Sequence, residues 1–351
     1  MLFFKSKNLI GLDIGSSSIK MAEVQVTKAG GKLLAFSMVP TPESAIVNGE
    51  IVDASSLATA IASIHAELKT KKKEVATALF GTAVIVKRIT MPKMDENLVK
   101  EQIRFEAEQY IPFDINNISI DFHVLNQSSS PETIDVLLIA AQNELVSQIV
   151  SAVEFARLKC EVLDVAGLAL ANCFEANYGK ISSAAIGIFN IGSTITNFTA
   201  INNGEAIFTR DIPVGGFNYT NEIQKTMGVT FEEAEALKID AVSQKEVPEE
   251  VRSIINSTTE SIVEEVRNTI DFLVATSHGL NLSKCYYTGG ASGTTGLIES
   301  LSRTIGIGFE SFDPFLRIQP NLQKISPMYI RKISPFAAIS VGLAYRMIGD
   351  S

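Results

Sequence analysis

Apolar residues alternate with polar ones along the N-terminal part of the chain. Leu9, Ile10 and Leu12 lead into a tight turn, and Ile19, Met21, Val24 and Val26 lead out of it. That alternation predicts a strand, a turn and a second strand, and residues 33–40 continue as a third. Leu57, Ile61, Ile64 and Leu68 then recur at helical steps behind Ser55 or Ser56, either of which can cap a helix. Residues 75–80 read as a short buried strand closed by Gly81. From Val84 the texture changes: a strand, then a helix capped by Asp95 with Val99, Ile103, Ala107 and Tyr110 on one stripe, stopping at Pro112. Two strands, 118–125 and 133–141, and a helix over 144–158 complete a β-α-β-β-α package that reads as an inserted module. A strand over 162–165 and a helix over 168–175 follow.

The second half begins by repeating the first. An apolar strand, 185–189, enters Asn190-Ile191-Gly192-Ser193-Thr194-Ile195-Thr196, and Gly192 stands 177 positions after Gly15. The following turns also correspond, Gly30-Gly31-Lys32 after the first loop and Asn202-Asn203-Gly204 after the second. One strand–loop–strand unit in each half is the mark of an internal duplication. Thr230 and Glu233 form a capping box that opens a helix over 232–239, and a long helix is predicted over 248–278. Cys285-Tyr286-Tyr287-Thr288-Gly289-Gly290-Ala291-Ser292-Gly293 reads as strand into loop, followed by a helix over 295–305. The chain closes on an apolar helix over 336–348, which Arg346 marks as buried rather than membrane-anchored.

The first turn holds Asp13, Gly15, Ser16, Ser17, Ser18 and Lys20. Such a set suits a phosphate chain with its magnesium. Gly15 lets backbone N–H groups approach, the serines donate hydrogen bonds, Lys20 brings positive charge, and Asp13 can hold a magnesium-bound water. A glycine–serine hairpin needs no ligand on its own; the second copy at Asn190, Gly192, Ser193, Thr194 and Thr196 is what points to one. The bare backbone of Gly289 and Gly290 lets a flat ring lie against it.

The bulk numbers narrow the field. A chain of 351 residues with net charge −9 has room for two domains but no basic stripe, which excludes nucleic acid as a main partner. Cys160, Cys173 and Cys285 are odd in number and hold no CxxC pair, so a disulfide framework and a zinc site are both unexpected. His65, His123 and His278 are scattered, without a ligand cluster. The start, residues 1–5, is too short for a signal peptide, and no apolar run reaches the roughly 18 residues of a membrane span. A cytoplasmic protein is expected.

Two phosphate-type hairpins followed by a late glycine pair resemble the actin-like ATPase superfamily. The match is nearest the PilM family of type IV pilus assembly proteins. It is carried by Gly11 through Lys20, by Phe105-Glu106-Ala107-Glu108-Gln109-Tyr110-Ile111-Pro112-Phe113, by Asn190 to Thr196, by Pro213-Val214-Gly215-Gly216 and by Gly289-Gly290. The resemblance implies an α/β, actin-like, duplicated RNase H-like fold of two domains with a small α+β subdomain inserted in the first. It places the first core at 1–83 with 164–184 and 335–351, and the insertion at 84–163. The second core falls at 185–222 with 286–334, and a helical subdomain at 223–285. It implies ATP and Mg2+ between the domains, with Gly215, Gly216, Glu235, Lys238, Ala291 and Ser292 joining the binding set. Glu235 and Lys238 would hold ribose and adenine.

Two departures from the superfamily matter. Asn190 stands where aspartate is usual, so the second loop brings no charge toward magnesium. The connection Asp164-Val165-Ala166-Gly167-Leu168 carries no glutamate or glutamine to orient an attacking water. Both favour binding with slow or absent hydrolysis. The family resemblance also implies a partner, the short cytoplasmic tail of a PilN-like inner-membrane protein within the pilus assembly complex. Its groove would lie between the first core and the insertion, with the strand around 84–91 as its edge. Membrane contact would then be peripheral, through that partner. The competing expectations are an FtsA-like filament-forming division protein, disfavoured by a close at Ser351 without an amphipathic helix, and a small-molecule kinase or vigorous ATPase of the same superfamily.

Overall fold

The N-terminal alternation forms an antiparallel meander of β1 (Ile10–Ile14), β2 (Ser18–Thr27) and β3 (Gly30–Pro40). The computed structural model describes residues 8–349 apart from 28, 29, 48, 127, 129, 183, 278, 279 and 322–324. The N-terminal segment 1–5 and His278 therefore lie outside the described residues. A two-stranded ribbon of β4 (Ile46–Val47) and β5 (Glu50–Ile51) leads to α1 (Ala54–Leu68). Its cap is Asp53, not Ser55 or Ser56: the carboxylate accepts from the backbone N–H of both serines, each at 3.0 Å. Both N–H groups share Oδ1, and Oδ2 takes the Ser56 hydroxyl at 2.6 Å, so the serines act as donors to the cap rather than as the cap.

β6 (Glu74–Leu79) returns beside β1 in parallel. Next come β7 (Val84–Pro92), α2 (Glu96–Glu108), β8 (Ile118–Val124), β9 (Thr133–Gln142), α3 (Asn143–Phe155), β10 (Lys159–Val165) and α4 (Ala166–Tyr178). α2 begins at the expected Asp95 cap but ends at Glu108, four residues before Pro112, which has no N–H to give the Glu108 carbonyl and would clash with it in a continued helix.

The second half supplies β11 (Ala185–Ile191), β12 (Thr196–Asn202), β13 (Glu205–Ile212), α5 (Gly216–Met227), α6 (Phe231–Val242) and α7 (Glu249–Thr276). Then follow β14 (Leu282–Thr288), α8 (Leu297–Ile305), β15 (Phe309–Ser311), β16 (Ile318–Pro320), α9 (Pro327–Ile333) and α10 (Ala338–Leu343).

The duplication is complete at the level of topology. The first sheet runs β10-β6-β1-β2-β3-β16 and the second β13-β12-β11-β14-β15. Each holds an antiparallel three-stranded meander followed by two parallel strands, β6 and β10 in one, β14 and β15 in the other. α4 starts in the connection between the halves, and Gly167 there has room for no side chain: a Cβ would stand 1.7 Å from Thr209 Oγ1. α10 packs bare backbone on both of its neighbours. A Cβ on Gly11 of β1 would meet the Ser340 carbonyl at 1.8 Å, and one on Gly342 the Ala169 carbonyl at the same distance.

Three expected boundaries move. The block 84–163 is not one body: β7, β9 and β8 form a separate three-stranded sheet packed on α2. α3 instead buries Leu145, Ile149, Ala152 and Val153 in the first core, and β10 edges the first sheet. An amphipathic stripe reports that a helix has an apolar face, not which core receives it. Within 286–334, β16 leaves the second half to pair in parallel with β3. The closing helix spans only 338–343, since a 3-10 turn at 334–336 precedes it and Met347 bridges back to Asn8. The insertion also leans on the second half, where Leu125 and Leu137 join its core.

Candidate nucleotide-type cleft

The two glycine loops are built alike. Gly15 N–H donates to the Ser18 carbonyl at 3.1 Å, and Gly192 N–H to the Ile195 carbonyl at 2.9 Å. A Cβ on either glycine would crowd that same carbonyl, at 2.9 and 2.7 Å. Thr41 Oγ1 fastens the first loop from behind by donating to the Gly15 carbonyl at 2.6 Å. The second loop is fastened by α5: the Gly216 and Phe217 N–H groups donate to the Gly192 and Ser193 carbonyls at 2.9 and 2.7 Å.

Both loops line one cavity of about 340 Å³, and Ser16 Oγ lies 2.8 Å from Thr194 Oγ1 across it. Of the residues singled out in the sequence, Asp13, Gly15, Ser16, Ser17, Ser18, Lys20, Asn190, Gly192, Ser193, Thr194, Gly216, Glu235, Lys238, Gly289, Gly290 and Ala291 line it. Thr196, Gly215 and Ser292 do not. Thr196 is buried with its hydroxyl on the Val214 carbonyl, Gly215 N–H is taken by Asn218 Oδ1, and Ser292 Oγ turns back to the Gly289 carbonyl.

The charges of the wall are paired. Lys20 Nζ stands 3.1 Å from Asp13 Oδ2, and Lys238 Nζ 2.6 Å from Glu235 Oε2. Lys238 is buried and spends its remaining donors on Thr220 Oγ1 at 3.0 Å and the Gly216 carbonyl at 3.3 Å. Glu235 Oε2 also receives the Thr220 hydroxyl at 2.5 Å, so within this pair the second carboxylate oxygen of Glu235 is the group left for a ligand.

The Gly289–Gly290 corner is packed closely against the rest of the chain. Gly289 takes φ +97°, and a Cβ there would strike the Ile191 carbonyl at 2.2 Å. A Cβ on Gly290 would meet Phe336 Cε1 at 2.5 Å, so the ring against this glycine is the chain's own. Phe217, Ile239, Val242, Pro335 and Phe336 complete an apolar slot that no motif announced. Ala166 lines the wall where β10 meets α4, and it carries no polar group.

A second cavity of about 600 Å³ lies between the first core, the insertion and the 204–206 turn. It is lined by consecutive residues of β8, Ser119 through His123, together with Leu163, Leu168, Ala171 and Arg346. β8 pairs on one side only, with β9. The strand expected as the groove edge, β7, lies at the opposite edge of that sheet and does not line this cavity. Arg346 Nη1 stands 3.4 Å from Asp164 Oδ2 at its wall. Among the described residues no group of three or more His, Cys, Asp or Glu side chains could hold a metal by itself.

The family model described as "Type IV pilus assembly protein PilM" matches residues 11–348. The chain belongs to the PilM family. The solved PilM–PilN type IV pilus biogenesis complex contains a chain similar to this one at 27% identity and TM-score 0.88, covering 98% of this chain and 99% of that one. The ethanolamine utilization protein EutJ from Carboxydothermus hydrogenoformans matches at 17% identity and TM-score 0.56, covering 96% and 88%. MreB 5 of Spiroplasma citri bound to AMPPNP matches at 12% identity and TM-score 0.50, covering 96% and 95%. At such identities the last two speak for the fold alone, and the fold is actin-like.

Proposed function

We propose that this PilM-family chain is an ATP-binding scaffold of type IV pilus assembly that grips the cytoplasmic tail of a PilN-like inner-membrane protein. ATP with Mg2+ acts in this reading as a structural ligand, hydrolysed slowly or not at all. The observation that carries it is the pair of duplicated loops facing each other across one cavity, 2.8 Å apart at Ser16 and Thr194.

The donor set fits a magnesium–polyphosphate. The charged side chains of the wall are Asp13 and Glu235 against Lys20 and Lys238, so they cancel, and a polyphosphate is best matched when it brings its own cation. Magnesium keeps most of its waters, and Asp13 and Asn190 offer oxygens from facing loops that would accept hydrogen bonds from those waters. When bound, the ion supplies the positive charge that draws the phosphate oxygens together. The hydroxyls of Ser16, Ser17, Ser18, Ser193 and Thr194 donate to phosphate oxygens, and Lys20 adds a cation beside them. Glu235 accepts a sugar hydroxyl, and the slot of Phe217, Ile239 and Phe336 takes the base. Ala166 offers nothing to orient a water for attack.

The groove along β8 suits an extended peptide, since the strand is paired on one side only. Its Phe122 N–H donates to Asp121 Oδ1 at 2.8 Å, and a peptide would have to displace that contact. No helix among the described residues is long and apolar enough to cross a membrane, in keeping with attachment through a partner. The described cysteines are all free, in keeping with a cytoplasmic setting. Calorimetry with a synthetic peptide of the PilN-like N-terminal tail tests the partner. Saturable one-to-one binding is expected, and no binding to folded, nucleotide-loaded protein would refute it.

A further inference from the structure

Asn190 occupies the place in the second loop that Asp13 holds in the first. Their cross-strand partners also correspond: Asp13 faces Lys20, and Asn190 faces Asn197. The first wall therefore carries an ion pair and the second a pair of amides. Beyond them the halves diverge. Lys20 is followed across the sheet by Met38, whereas Asn197 is followed by Asp211.

Asp211 reaches two donors. Gly81 N–H, from the first half, donates to its Oδ2 at 2.7 Å, and Asn197 Nδ2 donates to its Oδ1 at 2.6 Å. Asn190 Nδ2 in turn donates to Asn197 Oδ1 at 2.8 Å. This order does not depend on how an amide is drawn. Burial pushes the Asp211 carboxyl up, and the N–H donors of Asn197 and Gly81 oppose that by favouring the charged form. As a carboxylate Asp211 only accepts, so Asn197 turns its NH2 toward Asp211 and its oxygen toward Asn190. Asn190 must then give its own NH2 to Asn197. What remains is the Asn190 carbonyl oxygen, which accepts no hydrogen bond among the described residues and belongs to a side chain on the cleft wall.

We propose that Asp211 is a positioning residue that acts through Asn197 to hold the Asn190 carbonyl oxygen, rather than its NH2, toward the cleft as an acceptor for the hydration shell of a nucleotide-bound divalent cation. The inference rests on the nucleotide reading above. The negative charge usual at position 190 is thereby moved two strands across the sheet, to Asp211, and a directed dipole reaches the cleft from Asn190. Without the relay the amide is free to turn and present N–H groups, which a cation repels.

The test is calorimetry of ATP binding to the intact chain, once with Mg2+ and once with EDTA, reading the ratio of the two dissociation constants. Asn197→Leu removes both relay bonds but leaves Asp211 on Gly81. Asn197 also lines the cleft, so the readout is the ratio rather than either constant alone, and the variant is expected to reduce the magnesium-dependent gain in affinity about tenfold. Should that variant fail to fold, Asn197→Ser replaces it, its hydroxyl being too short to span both neighbours. Asp211→Asn is expected to lower the same ratio, and to lower it no further when Asn197 is already replaced. A ratio unchanged in the folded Asn197 variant overturns the relay, as does a double variant whose loss is the product of the single losses. Wild-type protein that binds ATP in neither buffer overturns the nucleotide reading itself, and the relay with it.

Discussion

Ser16 and Thr194 come from opposite halves of the chain, yet their hydroxyl oxygens lie 2.8 Å apart across the cleft. A polyphosphate entering between the loops must take over both hydroxyls. The contact thus reports on cleft closure in the absence of ligand. Ser16→Ala and Thr194→Val, made singly and together, should show a coupling of about 0.5–1 kcal/mol in urea unfolding. With saturating ATP and Mg2+ that coupling should disappear, because each hydroxyl then has a phosphate partner of its own. A coupling unchanged by nucleotide would place the ligand elsewhere.

Asp13 contributes the one carboxylate of the first loop, and its partner Lys20 is 3.1 Å away. Asp13→Asn keeps the shape and removes the charge. Affinity for ATP with Mg2+ should fall about tenfold to a hundredfold, the worth of a hydrogen bond to a charged group. The unfolding midpoint without nucleotide should also fall, because the largely buried Lys20 loses its counter-charge. Calorimetry and urea titration on the same preparation separate the two.

The groove assignment predicts a different separation. Ala171 of α4 lines the cavity along β8 and is absent from the nucleotide-type cleft. Ala171→Trp should weaken binding of the PilN-like tail peptide about tenfold or more by filling the groove, with ATP affinity held within about twofold. Loss of both would mean a global effect on the fold.

Gly342 and Gly308 differ in what surrounds them. A Cβ on Gly342 would lie 1.8 Å from the Ala169 carbonyl, whereas nothing lies within 4 Å of one on Gly308. Gly342→Ala should cost about 3 kcal/mol or more by forcing α10 off α4, and Gly308→Ala should be near neutral. Urea midpoints at constant slope would show it.

Much of this arrangement was legible in the residues. The hairpins follow from alternation and from glycines recurring at one offset, and Thr230 with Glu233 forms the capping box that their spacing announces. Other features depend on partners far along the chain. β16 joins β3 through Ile318 and Gly31, a pairing that no local pattern encodes. The apolar stripe of α3 is visible, but not that it joins the core of the first half beside α1. Phe217 and Phe336 carry no motif; they reach the cleft because α5 and the 334–336 turn bring them there. Asn197 and Asp211 look like ordinary polar strand residues until the sheet register sets them side by side.

Burial also sets how the fold should respond to alkali. Removal from water pushes the Cys285 thiol from 9.0 up to about 12 and the Tyr219 phenol from 10.0 up to about 12. Both groups stay neutral in the folded state over a range where the unfolded chain ionises. Their contribution is therefore whole below pH 9.0 and is lost as pH rises through the folded values. Stability should decline between pH 9.0 and about 12, and Cys285→Ala should flatten part of that decline. An identical slope in the variant would mean that the thiol is not protected.

The central claim is that loops from two halves of the chain close on a single ligand. Hydrogen exchange of the intact protein, with and without ATP and Mg2+, tests it most directly. Peptides covering 13–20 and 190–197 should gain protection together at the same nucleotide concentration. Protection of only one loop, or of neither, would contradict the account.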